Sequence, residues 1–220
     1  MRERGIIFNA EMVRAVLEGR KTQTRRIMKD QPEVIPQESE FGDPGFWIPW
    51  NEGKTMVRNK DMRIACPFGL KADRLWVRET FRVHSRATDV ATLVYRASER
   101  QSWTQQTHRV PVEHCNKPVS PENWTPSIHM PRWASRITLE ITGVRVERLQ
   151  DINVEDVVAE GVKTLGGEMW GPKWWIDAPK ATINDALLKF SIMWSKIYGE
   201  ESWQANPWVW VIEFKRVEGE

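Results

Sequence analysis

The sequence predicts an α+β fold: a small β-barrel with peripheral helices and long loop insertions. Three observations predict it. Several segments read as strands, most clearly Arg136 to Leu149, which alternates polar and apolar residues with a period of two, and the closing run Trp208 to Lys215, which has a strongly apolar body. Three other segments repeat apolar residues at helical spacing. Between them lie stretches rich in Gly, Pro and charge, and none reads as an inter-domain linker. Residues 1–220 are therefore expected to form one domain.

Taken in order, Ile6-Ile7-Phe8 is a short strand. Met12, Val13, Val16 and Leu17 then give an amphipathic helix with Asn9 as N-cap, and Gly19 follows it in a left-handed conformation. The chain from Lys29 to Leu70 is a surface excursion holding one hairpin, Phe46 to Trp50 with Thr55 to Arg58, turning at Asn51-Glu52-Gly53. Asp73 to Val83 is a strand with Leu75, Val77, Glu79 and Phe81 on one face and Trp76, Arg78 and Thr80 on the other. A carboxylate on an apolar face costs several kcal/mol unless it is paired, so Glu79 either meets a basic partner or marks a strand end. Leu93-Val94-Tyr95 adds a short strand, and Ser98 to Met130 reads as polar, proline-bearing loop.

Arg136 to Ile141 and Val144 to Leu149 read as two strands joined by a turn at Gly143. Asn153 with Asp156 caps a helix whose stripe is Val154, Val157, Val158 and Val162. On that wheel Glu160 lies away from the stripe and reads as solvated. Lys163 to Lys180 is a Gly/Trp/Pro loop. Thr182 with Asp185 opens a long helix striped by Ile183, Leu187, Phe190, Trp194 and Ile197, and Gly199 closes it. Loop-rich insertions thus fall near 30–70, 98–130 and 163–181.

Composition narrows the function classes. With 40% hydrophobic and 28% charged residues the chain is expected to be globular and soluble. A net charge of +2 gives no argument for nucleic-acid binding from bulk charge, so local clustering has to carry it. Cys66 and Cys115 make no disulfide scaffold, and His108, His114 and His129 lack zinc-site spacing, so neither a metal nor a cofactor is expected. The N-terminus is charged and no apolar run reaches ~18 residues, which argues against a signal peptide or a membrane partner and for the cytoplasm. The 13 tryptophans are unusual beside two tyrosines. Those in Gly/Pro-rich stretches, such as Trp47, Trp50 and Trp174-Trp175, either plug a small barrel or stack on bases. No pattern fixes the oligomeric state.

The stretch Glu18 to Arg26 gathers Arg20, Lys21, Arg25 and Arg26 around the hydroxyls of Thr22 and Thr24 just after a helix end. Such a stretch is either a solvated basic loop or an anion or nucleotide site, with cations on phosphate and Thr hydroxyls bonding or reacting.

Read in order, Gly19-x-Lys21-Thr22-x-Thr24-Arg25, Asp73-x-Leu75-x-Val77, Ala159-Glu160-Gly161, Ile197-Tyr198-Gly199 and Val211 to Lys215 resemble the ASCH domain (activating signal cointegrator homology). That family is similar in fold to the PUA domains of RNA-modifying enzymes. Arg26, Arg78-Glu79-Thr80-Phe81 and Met130 to Arg136 resemble the longer ASCH proteins carried by bacteriophages and prophages. Ala72 stands where the family often has Gly.

The resemblance implies a PUA-like barrel with a cleft facing single-stranded RNA or a modified nucleoside, with DNA as an alternative. One small bacterial branch hydrolyses the acetamide of N4-acetylcytidine through a lysine, a threonine and a glutamate that align with Lys21, Thr24 and Glu160. Amide hydrolysis needs a nucleophile, a base and oxyanion stabilisation. Thr24 would supply the hydroxyl, a neutral Lys21 would take its proton, and Glu160 would activate water for the second step. Arg20, Thr22, Arg25, Arg26, Trp76, Arg78, Glu79, Arg132 and Trp133 are the expected substrate or nucleic-acid contacts. Other ASCH proteins are nucleases or binding modules, so a non-catalytic RNA- or DNA-binding module and a metal-independent ribonuclease stand beside the amidohydrolase.

Overall fold

The computed structural model describes residues 1–35, 45–50, 55–163 and 180–217. In chain order its strands and helices are β1 (Glu3–Ile7), α1 (Ala10–Leu17), β2 (Gln23–Ile27), β3 (Glu33–Ile35), β4 (Gly45–Trp50), β5 (Thr55–Arg58), β6 (Arg74–Arg78), β7 (Phe81–Arg86) and β8 (Val90–Tyr95). There follow α2 (Trp103–Gln106), β9 (Thr107–Pro111), β10 (Thr138–Arg148), α3 (Val154–Ala159), α4 (Lys180–Tyr198), α5 (Glu201–Gln204) and β11 (Trp208–Arg216). The architecture is α+β, and no closed barrel is formed among the described residues. No described helix is long and apolar enough to cross a membrane.

The chain divides into two compact units, the first made of Met1–Gly19, Ala72–Glu140 and Lys215–Glu220, the second of Arg20–Lys71 and Ile141–Phe214. In the first, β1 runs parallel to β6, and β6 is antiparallel to the opening residues of β10. Strands β7, β8 and β9 form an antiparallel meander, with a bulge between Val83 and Ser85. Phe81, Leu93, Tyr95, Val110 and Met130 are buried together in that meander's core. Helix α1 buries Val13, Ala15 and Val16, and the Asn9 side chain accepts the Met12 N–H at 2.9 Å, as its capping position requires. Ala72 has φ 72°, the left-handed conformation that favours glycine.

The structure revises two readings in this unit and bears out a third. The expected strand from Asp73 to Val83 breaks at Glu79 and Thr80, so β6 and β7 are separate. Glu79 thus both marks a strand end and meets a basic partner, Arg136. The stretch 98–130 is not all loop: it carries α2 and the edge strand β9. Only Val110 is buried along β9, so the strand lacks the alternation that would have revealed it.

In the second unit β11 lies between β2 and the closing part of β10, with β2 and β11 antiparallel and Thr24 opposite Ile212. Strands β3, β4 and β5 form a separate antiparallel sheet. The core sets Val154 and Val157 of α3 against Phe190 and Trp194 of α4 and Val209 and Val211 of β11. Each of these aromatic and branched side chains contributes about 1.5–3 kcal/mol on full burial. The predicted turn at Gly143 is absent, and β10 runs unbroken for 11 residues. A Cβ at Gly143 would lie 2.5 Å from Glu213 Oε2, so this glycine admits a neighbouring side chain instead of turning the chain. The turn at Asn51-Glu52-Gly53 and the loop with Trp174-Trp175 lie outside the described residues.

Candidate functional site

The basic stretch begins where Gly19 leaves α1 at φ 73°. Lys21 then pairs by an isolated antiparallel bridge with Glu160, and the backbone of Thr22 exchanges hydrogen bonds with Ala159 and Phe214, both 2.8 Å. The two-residue period of this extended segment puts Lys21, Gln23 and Arg25 on one face. All three are buried there.

What they meet is acidic. Lys21 Nζ donates to Glu160 Oε2 at 2.7 Å and to the Glu160 carbonyl at 2.9 Å. Arg25 reaches Glu160 Oε1 at 3.3 Å and Asp156 Oδ2 at 2.9 Å, and also pairs with Glu147. Arg145 donates to Glu147 Oε2 at 2.9 Å and Asp156 Oδ1 at 2.8 Å, and pairs with Glu213. Gln23 joins the network through its amide, donating to Asp156 at 3.0 Å and accepting from Arg145 at 3.3 Å. Lys21, Arg25 and Arg145 are therefore enclosed by Glu147, Asp156, Glu160 and Glu213. The basic stretch forms an interlocked ionic network and not a bare positive patch.

Local sequence explains how the acids arrive. Asp156 is the third residue of α3 and closes its capping box with Asn153. Arg145 and Glu147 alternate along β10 and so share a face. Glu160 is the C-cap of α3, and Gly161 turns the chain away at φ 85°. The solvated position expected for Glu160 is wrong: it is only 4% exposed. It follows the buried Val157 by three residues, which on a helix means the same side.

Burial sets the electrostatics. The Lys21 side chain has no solvent exposure, and this desolvation pushes its pKa down despite the opposing pull of Glu160; Arg26 and Arg25 add to the lowering. Burial pushes the Asp156 carboxyl up, but Arg25, Gln23 and Arg145 outweigh it and hold it below the ordinary range. Burial works against the charged form of Arg145, but Glu147, Asp156 and Glu213 outweigh it and raise the pKa of Arg145. A lysine whose ammonium is disfavoured, in contact with a carboxylate, is equipped to pass a proton across a short hydrogen bond. Thr24 is buried too, at 1% exposure, but the pleat turns it to the face opposite Lys21, beside Ile212.

The other sequence candidates fall into two groups. In the second unit Arg20 donates to the Gly161 carbonyl, Thr22 is exposed and Arg26 is half-buried. In the first unit Glu79 takes both Arg136 Nε and Nη2, at 2.9 and 3.1 Å, and its burial raises its carboxyl pKa against the pull of Arg136. Arg78 lies over the Trp76 ring at 5.4 Å and donates to the Ile128 carbonyl. Arg132 binds Glu3 through Nε at 2.9 Å, and Trp133 meets Phe81 edge-on. Sequence reasoning missed Gln23, Arg145, Glu147 and Glu213 as members of the network and gave Asp156 only as a helix-capping residue. The i, i+2 pair on β10 was the available signal for two of them. Among the described residues no group of three or more His, Cys, Asp or Glu is placed to hold a metal ion. No protein-family model, no curated protein and no solved structure matches the chain.

Proposed function

We propose that the chain is an ASCH-type protein of PUA-like fold, of a phage or prophage, that takes a nucleoside at the Lys21–Glu160 pair and hydrolyses the amide of an N4-acylated cytidine in the bacterial cytoplasm. The observation that carries this reading is the buried contact of 2.7 Å between Lys21 and Glu160, residues far apart in sequence, with the lysine biased by burial toward its neutral form. In the reaction, water oxygen attacks the acyl carbon, the bond to N4 breaks, N4 takes a proton, and cytidine and acetate leave. Lys21 and Glu160 accept and return the proton. Water is favoured over Thr24 as the attacker because Thr24 lies across the strand from the pair. Arg25, held by three carboxylates, fixes the position of Glu160.

Incubation of the full chain with N4-acetylcytidine, followed by chromatography, tests this. Release of cytidine and acetate by the parent, lost in Lys21→Met and Glu160→Gln and retained in Thr24→Ala, is the expected pattern. Intact substrate after prolonged incubation sinks the reaction. A second reading, a non-catalytic RNA- or DNA-binding module that uses other cations, rests on one specific observation: the side chains of Lys21 and Arg25 have no exposure and carboxylates already occupy them, which argues against chemistry at the pair. Slowed migration of an uncleaved oligonucleotide, with acetylcytidine untouched, would select it.

A further inference from the structure

The first unit contains a cavity of about 270 Å³ lined by His108, Arg109, His114, Arg132, Trp133 and Arg136 together with neutral residues, and its described lining includes no carboxylate. Arg109 is exposed on β9 and has no ion-pair partner among the described residues. Arg132 engages Glu3 through Nε and Nη2, at 2.9 and 3.2 Å, which leaves Nη1 for another acceptor. Arg136 is fixed in place by Glu79, Ser98 and the Gln105 carbonyl, and its guanidinium lies 4.0 Å from the centre of the Tyr95 ring. The Trp133 indole is anchored edge-on against Phe81, with centroids 6.1 Å apart, and is half-buried. Its remaining surface borders the cavity.

Guanidinium groups bind phosphate by charge-assisted, often bidentate hydrogen bonds, and an indole face accepts a base or sugar. Ligand pockets usually measure ~300–1,000 Å³, and this cavity of about 270 Å³ falls just below that range, so it has room for one nucleotide at most and not for a run of strand. We infer that this cavity is a phosphate-monoester subsite for a single nucleotide, with Arg109 and Arg132 on the phosphate and Trp133 against the nucleoside. The ligand is either a free mononucleotide or the phosphorylated end of a strand, which share this chemistry. The subsite uses none of Lys21, Thr24 or Glu160. A chain that hydrolyses no amide and still prefers the monophosphate keeps this inference and loses the other.

Calorimetric titration of the full chain tests it, with the four ribonucleoside 5′-monophosphates, their nucleosides and inorganic phosphate as probes. At least one monophosphate should bind about tenfold or more tightly than its nucleoside, the effect of one good charge-assisted contact. Arg109→Ala and Arg132→Ala should each remove most of that preference, Arg132→Lys should keep part of it, and Trp133→Ala should bring the nucleotide down to the level of inorganic phosphate. Circular dichroism of each variant confirms that it is folded. Equal affinity for nucleotide and nucleoside, no binding of any probe, or an unchanged preference in the folded Arg109→Ala/Arg132→Ala double variant overturns the subsite. Comparison of 5′-phosphorylated and unphosphorylated oligoribonucleotides then assigns the source. A gain for the phosphorylated strand over the mononucleotide supports a strand end, and the reverse supports a free nucleotide.

Discussion

Lys21 and Arg25 in the second unit and Arg109 and Arg132 in the first carry the same kind of charge in opposite surroundings. The first two have no side-chain exposure and are surrounded by Glu147, Asp156 and Glu160. Arg109 is exposed, and Arg132 is 41% exposed at its side chain beside the Glu3 carboxylate. A dense cluster of cations in sequence therefore does not predict a positive surface. A buried cation persists only with a counter-ion, because removing it from water costs several kcal/mol that its partners must offset. The conspicuous basic stretch is the neutralised one. The cations open to a ligand are instead Arg109, from a stretch that reads as polar loop, and Arg132, which the family resemblance already places among the expected contacts.

The sharpest way to break this contrast is Glu160→Ala. It leaves Lys21 and Arg25 buried without their shared carboxylate and should cost about 3–5 kcal/mol in urea denaturation. A cost below about 1 kcal/mol would mean the network is not desolvated as described. Next comes acidity, where Asp156 and Glu79 should act with opposite sign. Asp156 holds its proton less readily when folded, so its contribution is complete above its ordinary value of 3.8 and drains away as pH falls toward the folded value. Glu79 holds its proton more readily when folded, so its contribution is present below 4.5 and is lost as pH rises through the elevated folded value. Denaturation midpoints across the acid range should flatten at the acid end in Asp156→Asn and lose the opposing slope in Glu79→Gln.

Smaller effects sharpen the same picture. Ala72→Gly should stabilise the protein by up to about 1 kcal/mol, since alanine resists its φ of 72°. Arg109→Ala should change stability by less than about 0.5 kcal/mol in a thermal melt, as an exposed residue with no ion-pair partner among the described residues. A large loss there would show that Arg109 is structural and not held ready for a ligand.

How far the sequence could be read depended on the range of the determining contact. Helix α1, its Asn9 cap and the Gly19 exit were legible because each is set within one turn of its own residues. The burial of Glu79 followed from alternation alone, while its partner Arg136, 57 residues away, did not. Gly143 misled because glycine serves both to turn a chain and to admit a neighbour, and only β11 decides which. Glu160 misled because a stripe defined by valines alone leaves out the i+3 position after Val157, which lies on the same side of the helix. The i, i+2 spacing of Arg145 and Glu147 puts them on one face of β10, but which acids and bases they meet across the fold, Glu213 included, depends on three-dimensional pairing that no local pattern encodes.

The clasp between Lys21 and Glu160 spans 139 residues of chain, which has a consequence during synthesis. At ~5–20 residues per second, a ribosome releases the lysine about 7–28 s before its glutamate exists. Throughout that interval Lys21 and Arg25 have to stay hydrated, since burying them early would strand two cations. The second unit should therefore close only once translation has passed residue 160, and a nascent chain truncated before that residue should remain open to protease at the buried segment from Lys21 to Arg25.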